Sequence, residues 1–307
     1  MPSDPTSQSP ITVAVSGATG MIGSALVSRL REQGHTVRRL VRSQGAGEPE
    51  DIHWHPSANE LDARVLEGVD AIVHLAGEPI AQRWTSRAKH DIRASRIQGT
   101  SLIASAVTQM QRKPQVVVSG SAIGIYGDRG DELLDESSAP GTDFLAGIGR
   151  EWESSAAPVA SAGVRLVLIR SGIVLSADGG ALGKMLPPFR LGAGGPMGSG
   201  RQWMSWITLA DHLRAIEHSI LTPSLRGPVN LVAPNPVRNA DFAHALGHAL
   251  GRPAIIPLPA FALELMFGEM AKATILAGQR VAPGALGASG FTFAHPTLPE
   301  ALEAVLR

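Results

Sequence analysis

The sequence contains no cysteine, which excludes a disulfide framework, a thiolate zinc site and a cysteine nucleophile. It has no net charge either, because 27 Lys and Arg balance 27 Asp and Glu. The positive field that nucleic acid or an acidic membrane surface requires is therefore missing. No uninterrupted run of roughly 18 to 20 apolar residues reads as a membrane span. Residues 1–10, rich in Pro and Ser, lack the basic start and apolar stretch of a signal peptide and read as a disordered leader. These absences predict a soluble, cytoplasmic protein that engages neither nucleic acid nor membrane and whose partner is a small molecule; they leave its oligomeric state open. Tyrosine is nearly absent too, with Tyr126 the single one in the chain.

What is there is a regular alternation of apolar runs. Residues 11–15 form a short β-branched run, followed at once by Ser16-Gly17-Ala18-Thr19-Gly20-Met21-Ile22-Gly23 and a helical pattern that turns Met21, Ile22, Ala25, Leu26 and Leu30 inward. Gly34 stops that helix, and residues 36–41 read as the next strand, giving a βαβ unit. Strand patterns at 71–75, 115–119, 164–169 and 229–232 alternate with helical ones at 92–107, 144–159 and 209–221. Such alternation predicts an α/β fold, a Rossmann-type doubly wound parallel sheet whose ligands sit at the carboxyl ends of the strands. The 307 residues suit one main domain with an appended lobe. Residues 11–252 are assigned to the Rossmann domain. Within it, Gly179-Gly180, Pro187-Pro188 and the glycines of 192–196 predict a long irregular insertion on the substrate side, at about 180–206. Residues 253–307 read as a small C-terminal α+β lobe, with helices around 261–277, a short strand at 291–293 and a last helix from 299. Its Phe261, Leu265, Met266, Phe267, Phe291 and Phe293 are expected to bury themselves against the insertion and close one side of a cleft.

Gly17, Gly20 and Gly23 form G-x-x-G-x-x-G between a strand and a helix. Glycines in that setting permit a tight turn, let backbone N–H groups approach a diphosphate and allow strand and helix to pack closely, so the motif predicts dinucleotide binding. The end of the second strand reads the adenosine ribose, and an acid there would bond the 2′-hydroxyl of NAD. Here the residues are Val41-Arg42-Ser43. A guanidinium beside a hydroxyl suits the 2′-phosphate of NADP(H), the cofactor expected, although an exposed loop arginine is the plainer alternative.

These segments, together with His74-Leu75-Ala76-Gly77, the run from Ser119 to Gly127, Arg93 to Thr100, Arg170-Ser171-Gly172-Ile173, Gly200 to Ile207 and Gly278 to Val281, resemble the extended or atypical short-chain dehydrogenase/reductases. Within them the chain is similar to the YfcH-type epimerase-family proteins with a C-terminal domain of unknown function. The resemblance implies cofactor contacts from Gly17, Thr19, Gly20, Met21, Ile22, Gly23, Arg42, Ser43, Leu75, Ala76, Gly77, Ser119, Gly120, Arg170, Ser171, Gly172 and Ile173. It also exposes a departure. The family's proton donor is a Tyr with a Lys four residues later that lowers the phenol's pKa. The segment from Asp143 to Arg150 has neither residue, and four residues after Tyr126 stands Gly130. Ser121, at the position that polarises a substrate carbonyl, is kept. Ser121, Tyr126 and Glu78 are the candidate catalytic residues, and Asp128 is a weaker one. Each also has a structural reading: loop hydroxyl, pocket wall, loop cap and turn. Arg201, Trp203 and Trp206 are candidate substrate contacts, or else a surface arginine and two rings packed inside. The histidine pairs 53/55 and 244/248 lack the further ligands of a zinc site, so no metal is expected. Two functions fit: an NADP(H)-dependent oxidoreductase or epimerase-like enzyme with an unusual proton donor, or a non-catalytic NADP(H)-binding sensor.

Overall fold

The structure is a computed structural model that describes residues 9–42 and 48–307. Ser43 and most of the expected leader lie outside the described residues. The chain opens with β1 (Thr12–Ser16), α1 (Met21–Glu32), β2 (Thr36–Val41), β3 (Ile52–His53), β4 (Ala71–His74), α2 (Ser86–Gln109) and β5 (Val116–Ala122). It continues through β6 (Leu133–Leu134), α3 (Phe144–Ser155), α4 (Ala157–Ser161), β7 (Arg165–Ser171), β8 (Ile173–Leu175), α5 (Gly180–Arg190), β9 (Trp203–Met204) and β10 (Trp206–Thr208). The remainder is α6 (Leu209–Leu221), β11 (Gly227–Leu231), β12 (Val237–Arg238), α7 (Asn239–Ala249), α8 (Ala260–Phe267), β13 (Arg280–Val281), α9 (Gly284–Ala288) and α10 (Leu298–Leu306).

Seven strands form one parallel sheet in the order β11-β7-β5-β4-β1-β2-β3. Successive side chains of a strand point to opposite faces. Val13 and Val15 accordingly enter one apolar cluster with Leu26 and Leu30 of α1 and Ile216 of α6. Ala14 enters the other with Leu102 and Val107 of α2 and Val159 of α4. Both faces are covered, as the unbroken apolar strands require. The order reverses at β1, from which the chain runs outward to β2 and later returns to β4 on the other side. The crevice between β1 and β4 is therefore the switch point at which such sheets bind ligands. Among the described residues, no helix is long and apolar enough to cross a membrane.

Three expectations need correction. The insertion is not wholly irregular: its first eleven residues are α5, with Leu182, Leu186 and Phe189 buried at helical spacing. Pro187 and Pro188 lie inside it near its C-terminal end, within three residues of where it stops, and their presence with Gly179 and Gly180 disguises the helix in the sequence. No strand forms at 291–293. Phe291 and Phe293 instead meet edge to face, with ring centroids 4.9 Å apart, against the main core. Finally, α8 does not bury its large side chains, since Phe261 is 73% and Leu265 76% exposed.

The rest of the C-terminal region is woven into the body. Leu286 joins the sheet cluster, Leu298 and Leu302 of α10 pack with α5 and α7, and β13 pairs with β6. Burying a leucine stabilises by roughly 1.5–3 kcal/mol. Three such residues amount to a large share of the about 5–15 kcal/mol that holds a domain folded. A chain ending at Gly251 should therefore show no cooperative thermal transition; a melting temperature within a few degrees of full length contradicts this packing.

Two histidines lie wholly inside the body. His74 shares a hydrogen bond with Ser16 through Nδ1 (2.6 Å), and His212 shares one with Ser171 through Nε2 (2.8 Å). The other nitrogen of each ring has no partner among the described residues. Burial lowers both from the usual 6.5 to about 4. Below pH 6.5 the unfolded chain takes up protons that the folded chain refuses, so stability falls as pH drops from about 6.5 to about 4. The loss approaches roughly 3 kcal/mol per histidine. Urea titrations across that range should show it, and His212→Gln should flatten the slope.

Candidate functional site

The glycine turn is built so that backbone, not side chain, faces the crevice. Gly17 has φ +70°, and a Cβ on it would come within 2.8 Å of the Leu75 carbonyl carbon and 2.9 Å of the Ala76 nitrogen. A Cβ on Gly23 would lie 2.1 Å from the Gly17 oxygen. Neither position accepts a side chain. The Ser16 hydroxyl accepts hydrogen bonds from Leu75 N (3.2 Å) and Ala76 N (3.3 Å), tying the ends of β1 and β4 together. Gly20 precedes α1 without a capping side chain, and the first turn carries no acid. The leading N–H groups of a helix have no intrahelical acceptor and carry its positive dipole end, which attracts an anion. Thr19 and Gly20 are exposed and Met21 and Ile22 half-buried, as are Leu75 and Ala76 across the crevice. Gly179 and Gly180, at the start of α5, sit against the Met21 thioether. Arg42 is exposed at the end of β2, and no acid lies between residues 36 and 42. These residues fit a dinucleotide: a cradle that any Cβ would fill, beneath an uncapped helix end.

The carboxyl ends of β5 and β7 are arranged differently. Ser119 and Gly120 are buried inside β5, which continues to Ala122. The space beside Gly120 is taken by the Trp152 ring. Arg170 is 5% exposed, and its Nε and Nη2 donate to the two carboxylate oxygens of Glu153 at 2.8 and 2.9 Å. Burial works against the guanidinium charge, yet Glu153 raises its pKa above the ordinary value. The Ser121 hydroxyl donates to the same carboxylate at 2.6 Å. Tyr126, in the 3-10 turn after β5, has no exposed surface; it donates to Asn230 Oδ1 at 2.7 Å and accepts from Arg170 at 2.9 Å. Burial raises its pKa, with the Arg170 bond opposing. Ser171 is occupied by His212. A Cβ on Gly172 would strike the Ser205 oxygen at 2.5 Å, and Ile173 lies within β8, paired with β10. Apart from Ser119, whose buried hydroxyl has no partner among the described residues, the polar side chains expected at this edge are held within the protein.

Glu78 stands half-buried after β4, its carboxylate accepting from Gln82 at 3.3 Å. Asp128 closes a turn by accepting from Gly130 N. Arg201 is exposed. Trp203 is enclosed between the guanidinium groups of Arg238 (4.1 Å) and Arg280 (4.7 Å), and its indole donates to Asp131. Trp206 is fully buried in the cluster beneath α5 and α7, donating to Asn235 O, so it lines no cleft. Both tryptophans spend their faces on the protein itself. Three residues escape sequence reasoning. Glu153 is one acid on an amphipathic helix and Asn230 one amide in a strand, neither marked by spacing. Arg96, in the segment from Arg93 to Thr100, is buried under the loop after β4.

Comparison with known proteins agrees with this architecture. The model of the NAD dependent epimerase/dehydratase family matches residues 13–230, and a domain of unknown function (DUF1731) matches residues 258–305. Epimerase family protein MT2273 of Mycobacterium tuberculosis is 45% identical over 94% of this chain and 96% of its own. The crystal structure of human epimerase family protein SDR39U1 (isoform2) with NADPH superimposes with a TM-score of 0.89 at 36% identity, covering 96% of this chain and 99% of that one. A nucleoside-diphosphate sugar epimerase from Corynebacterium glutamicum gives 0.80 at 38% identity, covering 97% of this chain and 58% of that one. With more than two thirds of its length under the family match and relatives covering nearly all of it, the chain belongs to the NAD dependent epimerase/dehydratase family.

Proposed function

We propose that this protein binds NADP(H) and acts as an oxidoreductase or epimerase-like enzyme on a small molecule. The observation that carries the reading is the open glycine cradle with Arg42, and no acid, at the end of β2. The human relative solved with NADPH supports it. Backbone groups of Gly17 and of 19–23 would hold the diphosphate, Arg42 and Ser43 the 2′-phosphate, and Leu75, Ala76 and Gly77 the opposite wall. When bound, the nicotinamide supplies hydride exchange. The chain's own task is to orient the substrate and handle a proton. Tyr126 is sealed and Ser121 already donates to Glu153, so Glu78, half-open at the same sheet edge, is the proton-handling group of this reading. The same reading places the protein in the cytoplasm, and no helix among the described residues is long and apolar enough to cross a membrane.

One observation favours a second reading. The hydroxyls of Ser121 and Tyr126 serve an internal network, which suits a non-catalytic NADP(H)-binding sensor. Calorimetry and turnover separate the two. NADPH should bind about tenfold to a hundredfold more tightly than NADH, the value of one charge-assisted hydrogen bond, and Arg42→Ala should remove most of the difference. Equal affinities refute the cofactor choice.

NADPH oxidation across aldehydes, quinones and nucleotide sugars tests the chemistry. Glu78→Gln should lower turnover about 100-fold or more, as loss of a general acid does, whereas Tyr126→Phe should cost at most roughly fivefold. A thousandfold loss in Tyr126→Phe overturns the assignment of Glu78. Tight NADPH binding without turnover on any substrate supports the sensor.

A further inference from the structure

The chain buries two guanidinium groups at the carboxyl edge of the sheet and treats them oppositely. Arg170 receives both oxygens of Glu153. Arg96, on α2, is 8% exposed and receives no carboxylate within ion-pair distance among the described residues. Its Nη1 donates to Glu78 O (2.9 Å) and Ile92 O (3.0 Å), and its guanidinium carbon lies 5.1 Å from the centroid of the Trp152 ring. Nε and Nη2 find no acceptor among the described residues. The carboxylate of Glu78 acts on it only at longer range. Burial lowers the Arg96 pKa to about 10, so it stays charged at neutral pH. A largely buried cation with three of its five N–H donors unused by the protein is costly unless water or an anion completes it, and an anion also answers its charge.

Gly77 lies against the guanidinium. Gly77 is exposed, and its φ lies outside the left-handed region, so its backbone does not require glycine. What a Cβ there would meet is the Arg96 guanidinium carbon, at 3.3 Å. Glycine at 77 keeps a side chain off the guanidinium at Cζ and Nη1, two residues beyond the contact of Leu75 with the glycine turn, and Nε and Nη2 are not sealed from solvent.

We propose that Arg96, reached past Gly77, is a subsite for an oxyanion, a carboxylate or phosphate group, of a small molecule bound at the carboxyl edge of β4. It deepens the reading of this edge as the ligand site and rests on it. The oxyanion has two sources, the substrate or the cofactor's diphosphate, and recognition is the same: a charge-assisted bond from Nε and Nη2 to paired oxygens.

The probe is inorganic phosphate, titrated into the full-length protein in phosphate-free buffer while the indole N–H signal of Trp152 is followed by NMR. That indole donates to Thr100 and its ring carries the guanidinium. The wild type should show a saturable shift. Arg96→Gln should abolish it or weaken phosphate about tenfold or more, and Gly77→Ala, which caps the guanidinium without straining the backbone, should weaken it severalfold. If the shift survives saturation with NADPH, the subsite takes a substrate oxyanion; if NADPH eliminates it, the subsite belongs to the diphosphate. NADPH affinity, read by its fluorescence in the same samples, keeps the two readings separate. Protein that binds NADPH yet shows no saturable shift overturns the subsite alone. So does an equal shift in Arg96→Gln, or in Gly77→Ala if the arginine variant fails to fold.

Discussion

A carboxylate and a guanidinium taken out of water cost several kcal/mol each, and they repay it only when geometry lets each satisfy the other. Glu153 and Arg170 meet that condition, with both arms of the fork on both oxygens. Around this pair the carboxyl edge of the sheet is fixed. Glu153 comes from α3 and Arg170 from β7. Ser121 of β5 leans on the carboxylate, and Tyr126 receives the remaining arm of the guanidinium. Tyr126 passes the chain of bonds to Asn230 of β11, whose amide donates to Ala282 O. Three sheet strands, one helix and the C-terminal segment thus depend on a single ion pair. Removing either member leaves the other charge buried, which costs about 3–5 kcal/mol, more than any single hydroxyl in the network contributes.

That constraint divides the edge into two halves. From β5 to β11 the side chains of Ser121, Tyr126, Glu153, Arg170 and Asn230 are spent on one another, while the buried Ser119 hydroxyl has no partner among the described residues. At β1 and β4 the glycine turn, the first turn of α1 and the loop after β4 present backbone N–H groups and half-open residues. Among the described residues, it is there that backbone donors and half-open side chains together are left for a ligand. Substrate chemistry, if it occurs beside the nicotinamide, has to draw on groups of the open half, and this makes the loop from Gly77 to Gln82 more informative than the segment around Ser121.

Much of the fold was legible because its signals are local. The glycine spacing, the β-branched run before it and the apolar periodicity of α1 all point the same way, and residues 13–230 follow suit. Errors arose where one signal hid another. Prolines 187 and 188 hid the 182, 186, 189 spacing of α5, and the bulk of Phe261 and Leu265 implied a burial that α8 does not provide. The site was half legible. The cradle is set by residues adjacent in sequence, so it could be read. The Glu153–Arg170 pair joins residues 17 apart and Tyr126 to Asn230 spans 104, and no pattern in the chain announces either partner.

The same geometry explains why losing the usual tyrosine and lysine is more than a deletion. In the family pattern a cation on the helix lowers a phenol's pKa until it can exchange a proton near neutrality. Here α3 brings a carboxylate, Glu153, to the sheet edge, and the cation that touches the one phenol comes from β7. Arg170 does donate to Tyr126, but burial outweighs it and the phenol's pKa rises. A phenol whose neutral form is favoured, without exposed surface, has neither the charge nor the access for proton transfer to a substrate. Tyr126 therefore works as a strut between Arg170 and Asn230, and the enzyme reading proposed above needs its proton donor from the half of the edge that is still open.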